Sequence, residues 1–310
     1  MKEKLSKVLK KSDILARTYD RLELSSRRVL FHLSPLLLVE YLYLKHRGRF
    51  YRPRRSRTFE QKLLWLMLYW RHPLKSRCAD KYAVRSYVEE NGLADTLPEL
   101  YGVYSSSAEI DWAGLPERFV LKCTHGSGFN VFCRDRGTFD PEGAKRKLDA
   151  WLKTDISEFS SEIHYGAIRP RIICEAYLGD PAGNLPTDYK VYCFDGRAHC
   201  TMACTGRGTG RTKFDFYDRN WKNKLPYSRS SLLADRTIPR PEAYDEMIAA
   251  AEKLSKPFPF VRMDFYGIGG QIFFSEMTFT PNACIDKGYT DLAQQVMGDL
   301  IHLPKEYMGS

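Results

Sequence analysis

The chain has 310 residues, of which 43% are hydrophobic and 28% charged, so it is long enough to bury a large core. This composition excludes a disordered, collagen-like or low-complexity protein. The formal net charge is +10, and residues 1–57 carry 16 Lys or Arg against 5 Asp or Glu. Because the rest of the chain is nearly neutral, the charge argues against a nucleic-acid-binding body and indicates a basic arm that contacts an anionic surface. No nucleic acid is expected as a partner.

The basic arm contains an apolar segment, residues 29–44. It is too short to span a bilayer, which takes about 20 apolar residues, and it lacks the position and small-residue ending of a signal peptide. Basic residues flank it on both sides: Arg27, Arg28, Lys45, Arg47, Arg49, Arg52, Arg54 and Arg55. Two interpretations remain open. One is a helix in the interfacial plane of an anionic membrane, bound through residues 1–57; the other is a helical hairpin packed on the main body.

Eight cysteines are scattered along the chain without a Cys-x-x-Cys pair: Cys78, Cys123, Cys133, Cys174, Cys193, Cys200, Cys204 and Cys284. Several lie in apolar runs that read as strands. Such thiols fit a reducing compartment, here the cytoplasm, better than a disulfide framework. Cys200 and Cys204 beside His199 could suggest zinc, but no second ligand pair has a suitable spacing, so we interpret them as strand residues.

Residues 1–73 read as helical, and the strongly apolar residues 59–70 predict a helix that ends at His72-Pro73. Residues 79–91 predict another helix, with Gly92 near its C-terminal cap. Further helices are predicted over residues 141–153 and 242–256.

From residue 119 onward, strands alternate with these helices. The apolar runs that predict strands are residues 97–104, 119–124, 130–133, 171–178, 188–194, 260–266 and 271–277. Asp195-Gly196 favours a hairpin turn, and residues 267–270 join the last two strands. The chain shows no internal repeat, and the pattern is that of an α+β protein.

The last predicted hairpin carries two carboxylates, Asp264 and Glu276, on neighbouring strands. Buried carboxylates that lie close together persist where a cation neutralises them, and hard oxygen ligands on rigid strands suit Mg²⁺. Arg262 faces the same side of its strand as Asp264, where its guanidinium could stabilise charge on a transferring phosphoryl group. The alternative is a surface salt bridge.

A glycine loop follows the strand that ends near Lys122. Gly126, Ser127 and Gly128 allow close approach of the backbone to phosphate, and Lys122 supplies positive charge. The loop matches neither a Walker motif nor a dinucleotide fingerprint, because a strand and not a helix follows it. A hairpin that merely needs glycine would look similar.

Residues 175–178 lie at a strand end before a turn. An extended backbone there offers N–H and C=O groups to an adenine edge, and Glu175 could accept a hydrogen bond from the amino group. Alone, this pattern is equally typical of an edge strand with an exposed glutamate.

Taken in order, these elements resemble the ATP-grasp superfamily, and most closely its TupA-like branch, named for teichuronopeptide biosynthesis. The resemblance extends from about residue 59 to the C-terminus. Its most distinctive stretches are residues 78–85, 119–128, 188–196 and 274–281.

The resemblance implies roles for the nucleotide-binding residues. Lys81 and Lys122 would contact phosphate, and Gly126, Ser127 and Gly128 would form the loop that closes over it. Glu175, Ala176, Tyr177 and Leu178 would hold adenine, Asp188 would bind the ribose hydroxyls, and Lys190 would approach the nucleotide.

The same resemblance implies that Asp264 and Glu276 bind Mg²⁺ and that Arg262, with Lys190, acts in catalysis. One departure concerns the position two residues after the metal-binding glutamate. Relatives usually have asparagine there, whereas this chain has Thr278, a neutral oxygen of shorter reach that can still ligate Mg²⁺.

The implied architecture is two α+β subdomains that clasp ATP, preceded by a basic helical region. We expect that region over residues 1–75, an N-terminal ATP-grasp part over 76–118, a lid subdomain over 119–185 and a C-terminal subdomain with the metal site over 186–310.

The implied activity is ATP-dependent ligation of a carboxylate to an amine through an acyl phosphate. Because relatives are associated with cell-surface polymers, the expected substrates are an amino acid or amine and a sugar acid or amino acid, joined into a polysaccharide precursor at the inner face of the plasma membrane. The alternatives are a phosphotransferase acting on a sugar or polyol hydroxyl, and a membrane-associated scaffold without turnover. Candidate acceptor-binding residues are His125, Arg207, Arg211 and Lys213, with a mobile loop over residues 206–210.

Overall fold

The computed structural model describes residues 13–180, 182–207 and 212–305. Helices cover two antiparallel sheets, which confirms the α+β class. A helical region precedes the sheets, as predicted.

The helical region begins with a hairpin of α1 (Asp13–Leu33) and α2 (Pro35–Arg47). Ser34 between them accepts a hydrogen bond from the first turn of α2, and Pro35 stands where its missing N–H costs nothing. The face of α2 that packs on the body consists of buried side chains: Leu38, Val39, Leu42 and Tyr43. This burial favours the packed hairpin over an interfacial helix for the α2 half of the apolar segment.

The predicted helix at residue 59 is present as α3 (Phe59–Leu68). Thr58 and Gln61 form a reciprocal capping box at its start. The C-terminal helix α10 (Asp291–Leu300) packs across this start, and at Gly298 an added Cβ would lie 2.5 Å from the Arg57 carbonyl oxygen. A side chain there would therefore push the two helices apart.

The helix predicted over residues 79–91 is present but begins four residues later, as α5 (Ala83–Glu90). A separate helix, α4 (Pro73–Ala79), precedes it, with a corner between the two. The Asp80 carboxylate accepts hydrogen bonds of 2.8 and 3.2 Å from two backbone N–H groups at the start of α5, so it caps that helix. The corner places Lys81 outside both helices.

The smaller sheet has four antiparallel strands in the order β1-β4-β2-β3. Its strands are β1 (Leu100–Tyr104), β2 (Phe119–Cys123), β3 (Asn130–Cys133) and β4 (Ile172–Ala176). Helix α6 (Pro141–Leu152), capped by Asp140, covers it and buries Leu148 against Phe119 and Leu121. The short helices α7 (Ser157–Ser160) and α8 (Ile163–Gly166) lead from α6 to β4.

The larger sheet has six strands in the order β10-β9-β5-β6-β7-β8. Its strands are β5 (Asp188–Phe194), β6 (Arg197–Thr205), β7 (Lys213–Asp218), β8 (Lys224–Leu225), β9 (Phe260–Ile268) and β10 (Gln271–Thr278). Helix α9 (Tyr244–Ser255) packs on β5, β6 and β9. The predicted strands and the helices near residues 141 and 242 are thus confirmed, with small shifts at their ends.

All eight cysteines are buried and free. Cys200 and Cys204 lie on β6, and His199 is within 3.0 Å of the Tyr227 hydroxyl. Within the described residues no group of three or more His, Cys, Asp or Glu is arranged to hold a metal.

The proposed boundary at residue 118 falls between strands of one sheet, because β1 pairs with β4. The domain limits given above remain predictions.

Candidate functional site

A cleft between the two sheets gathers most of the predicted site residues. Those that line it are Lys81, Lys122, Ser127, Gly128, Ala176, Tyr177, Leu178, Asp188, Lys190, Asp264 and Glu276. Four others contact these residues without lining the cleft: Gly126, Glu175, Arg262 and Thr278.

The corner between α4 and α5 fixes Lys81. Asp80, which caps α5, also forms a 2.9 Å ion pair with Arg171, and that guanidinium stacks on the Tyr82 ring. Lys81 Nζ donates to the carbonyl oxygen of Gly126 and so touches the glycine loop. Burial lowers the pKa of Lys81, and the charge of Glu276 offsets part of that effect.

The sequence suggested that the Glu175 carboxylate is free to accept a hydrogen bond from an adenine amino group. In the structure both of its oxygens are paired with cations. Its Oε2 lies 2.6 Å from Lys122 Nζ and its Oε1 lies 2.8 Å from Arg85 Nη1. Arg85 also donates to the carbonyl oxygen of Pro98 at 2.9 Å. Burial alone would lower the pKa of Lys122, but Glu175 outweighs it and the pKa is raised.

The β9–β10 hairpin aligns the predicted metal residues across one ladder. Asp264 is the register partner of Glu276, and Arg262 is the partner of Thr278. Arg262 grips the Asp264 carboxylate with two hydrogen bonds of 2.7 Å. Its Nη2 also donates to the Thr278 hydroxyl at 3.0 Å, and that hydroxyl donates to Glu276 Oε1 at 3.2 Å.

Lys190 on β5 lies between two carboxylates of the cleft, Asp188 and Asp264. Its Nζ lies 2.7 Å from Asp188 Oδ2 and also pairs with Asp264. Burial opposes the charge on Lys190, but the two carboxylates raise its pKa. Arg207 forms a second ion pair with Asp188, at 2.9 Å. Asp188 Oδ1 is buried and has no hydrogen-bond partner within the described part of the chain.

The two metal-site carboxylates differ in their electrostatics. Burial raises the pKa of Asp264, against the opposing charges of Arg262 and Lys190. Burial also acts to raise the pKa of Glu276, but Lys81, Lys190 and Arg262 outweigh it and hold the pKa at about 2. Two carboxylates and a hydroxyl form a hard-oxygen donor set, which fits Mg²⁺ that takes its remaining ligands from water and phosphate.

Several cleft residues were missed from the sequence, and strand alternation could have found some of them. Val120 lies two residues before Lys122, so the two share a face of β2. Alternation could not have found Phe274, because a register shift between Phe274 and Glu276 interrupts the regular pairing of β10. Other lining residues that the sequence did not single out are Pro98, Asn130, Phe132, Leu185, Pro186, Tyr266 and Ser275. The apolar members of this set form a wall of the cleft, which we call the apolar wall, next to the charged side chains described above.

Of the acceptor-binding candidates, the structure places Arg207 in the cleft. His125 is buried, and its Nε2 lies 3.0 Å from the Trp151 carbonyl oxygen. Lys213 donates to the carbonyl oxygen of Ser231 at 3.4 Å. Neither lines the cleft, and their part in acceptor binding stays a prediction. Arg211 and most of the predicted loop over residues 206–210 lie outside the described residues.

Comparison with known proteins gives one family match, to the TupA-like ATP-grasp family model over residues 61–302. A search of the curated proteins finds no significant match.

Among solved structures, the chain is similar to the D-alanine–D-alanine ligase of Bacillus anthracis complexed with ATP, at 12% identity and a TM-score of 0.39; the match covers 66% of this chain and 54% of that one. The Helicobacter pylori D-alanine–D-alanine ligase matches at 12% identity and a TM-score of 0.43, covering 79% of this chain and 69% of the other. D-cycloserine synthetase DcsG matches at 15% identity and a TM-score of 0.41, and the match covers 74% of this chain and 70% of the other. The chain thus spans little more than half the length of the first of these.

Proposed function

The chain belongs to the TupA-like ATP-grasp family, and from this premise we propose that it is an ATP-dependent carboxylate–amine ligase acting through an acyl phosphate. The observation that carries the proposal is the cleft between the sheets. There, cationic side chains from both sheets and the α4–α5 corner converge beside two carboxylates that are register partners.

In this proposal Lys81, Lys122, Lys190 and Arg207 bind the phosphate oxygens of ATP. Each is held by an oxygen of the protein, so the cations stand in fixed positions before the nucleotide arrives. Such prior placement lowers the entropic cost of binding a flexible polyphosphate.

The nucleoside would lie against the apolar wall of the cleft. The backbone of residues 176–178 would present N–H and C=O groups to adenine, since the Glu175 carboxylate is already engaged. The unpartnered Asp188 Oδ1 is a buried acceptor, and a ribose hydroxyl could satisfy it.

Asp264 and Glu276, with Thr278 beside them, would hold Mg²⁺, which when bound neutralises charge on the phosphate oxygens. The donor set is neutralised at present by Arg262 and Lys190. With these carboxylates engaged by the metal, the Arg262 guanidinium would be free to contact the transferred phosphoryl group.

The proposed chemistry has two steps. A substrate carboxylate oxygen attacks the γ-phosphorus of ATP, the bond from that phosphorus to ADP breaks, and an acyl phosphate forms. The substrate amine then attacks the acyl carbon, phosphate leaves, the amine loses a proton, and an amide remains. Arg262 would stabilise the negative charge that passes through both steps.

For the substrates we propose an amino acid or amine and a sugar acid or amino acid, joined into a cell-surface polysaccharide precursor. We place the enzyme in the cytoplasm, at the inner face of the plasma membrane. The resemblance described under Sequence analysis and the basic N-terminal region support this proposal.

ADP release over a panel of uronic acids, amino acids and sugars tests the function. A ligase should form a hydroxamate when hydroxylamine traps the acyl phosphate, and ADP release should require a carboxylate. ADP release with a sugar or polyol alone and no hydroxamate would replace the ligase with a phosphotransferase. Absence of ATP binding would remove the enzyme proposal altogether.

A further inference from the structure

Exposed large apolar side chains concentrate in one hairpin of the described chain. Those within residues 19–50 are Tyr19, Leu22, Leu24, Val29, Leu33, Leu37, Leu44 and Phe50. Elsewhere in the described residues only Phe132 and Leu292 reach similar exposure. Such clustering on a soluble body marks an interaction surface.

On α1 four of the exposed apolar residues form one stripe at helical spacing: Tyr19, Leu22, Val29 and Leu33. Leu24, also exposed, lies on another face. Elsewhere α1 contacts the protein, since Glu23 pairs with Lys45 of α2 and Arg28 pairs with Glu158 of α7 at 2.7 Å. The stripe is therefore an apolar face that the fold leaves uncovered.

On α2 the exposed apolar residues also lie away from the body. Leu37 and Leu44 are seven residues apart and so share a face, and both are exposed. The buried residues 38, 39, 42 and 43 lie on the opposite face. The two helices together present one apolar outer face, which we call the hairpin face: Tyr19, Leu22, Val29, Leu33, Leu37 and Leu44.

A basic segment follows directly after α2. Residues 45–57 contain seven Lys or Arg and no Asp or Glu. Phe50, 66% exposed, lines a shallow depression with Arg49, Arg52 and Arg55. No carboxylate of the described residues forms an ion pair with these three arginines.

We propose that the hairpin face, with Phe50 and its arginines, binds the surface of an anionic lipid bilayer. Apolar side chains would enter the headgroup boundary while the guanidinium groups meet lipid phosphates, as in interfacial helices. A second copy of the chain is the less favourable occupant, because two equally basic surfaces repel each other. No described helix is long and apolar enough to cross a membrane. The proposal does not depend on the ligase activity.

Co-sedimentation of the full chain with vesicles tests the proposal. We expect binding to vesicles of phosphatidylglycerol and phosphatidylcholine at low salt, little binding to phosphatidylcholine alone, and release at high salt. Two variants probe the two parts of the surface: Val29→Ser with Leu33→Ser, and Arg52→Gln with Arg55→Gln. Each should weaken binding by at least about tenfold.

Matched controls carry the same changes away from the hairpin. Leu292→Ser removes a side chain 49% exposed on α10, and Arg146→Gln removes a guanidinium from α6 whose side chain is 73% exposed. Both should bind vesicles like the unaltered chain. Thermal unfolding establishes that each variant is folded.

Three results would overturn the proposal. They are no binding of the unaltered chain at low salt, equal binding to neutral vesicles, and equal loss in the control variants. A fourth result would assign the hairpin face to a second copy of the chain. In that case the unaltered chain would not bind vesicles, light scattering would show a dimer, and Val29→Ser with Leu33→Ser would abolish that dimer.

Discussion

Lys122 Nζ lies 2.6 Å from Glu175 Oε2, and this ion pair determines what each residue can do. The lysine keeps its charge in a buried position because the carboxylate raises its pKa against burial. The glutamate is held also by Arg85, so both of its oxygens are engaged by cations. We therefore propose that Glu175 affects nucleotide binding through Lys122.

Glu175→Gln should make ATP binding sensitive to alkaline pH. Without the carboxylate, burial is no longer outweighed and the pKa of Lys122 falls, so its charge is lost at a lower pH than in the unaltered chain. Calorimetric titration with ATP across the neutral to alkaline range would measure this. Glu90→Gln, which breaks the exposed pair with Arg77, is the control and should leave the profile unchanged. Identical profiles for Glu175→Gln and the unaltered chain would refute the coupling.

Glu276→Gln should raise the Mg²⁺ concentration needed for ATP turnover and lower the maximal rate by about 100-fold, since it removes one of two carboxylates facing the phosphates. ADP release measured against Mg²⁺ concentration checks this. A metal requirement and rate equal to those of the unaltered chain would show that Glu276 is no ligand.

Asp264→Asn should destabilise the fold by about 3–5 kcal/mol, because Arg262 and Lys190 would remain buried without their carboxylate. Adding Lys190→Met should restore part of the loss, because it removes a buried cation that would have lost one of its two carboxylate partners. Denaturant unfolding measures the free energies of both single variants and of the double variant. If the double variant were destabilised by the sum of the two single changes or by more, the charges would not be coupled as we describe.

Asp80→Ala should destabilise the protein by about 1–2 kcal/mol through loss of the α5 cap and should also weaken ATP binding. The second effect arises because Asp80 and Arg171 hold the corner that carries Lys81. Asp140→Ala is the matched control, because Asp140 caps α6 in a comparable way. Its carboxylate accepts a hydrogen bond of 2.8 Å from the Gly143 backbone N–H. This substitution should cost stability without changing ATP affinity. Equal ATP binding by both variants would separate Asp80 from the site.

Sequence reasoning recovered the elements whose signals are local. The apolar run before Lys122 and the alternation of apolar and polar residues around Asp264 and Glu276 are patterns of neighbouring residues. The strands and the carboxylate pair could therefore be predicted from the sequence. The family resemblance supplied the order of the site residues.

What the sequence by itself determined is therefore most of the helices and strands, the α+β class and the residues that could serve a nucleotide. Strands β7 and β8, helix α10 and the bounds of β6 were not predicted from it. Only the tertiary structure decided which charges neutralise each other. Glu175 pairs with Arg85, 90 positions away, and Asp80 pairs with Arg171, 91 positions away. It also decided that one face of α2 is buried while the stripe of α1 is not. Such pairings depend on packing between segments far apart in the chain, and no local periodicity records them.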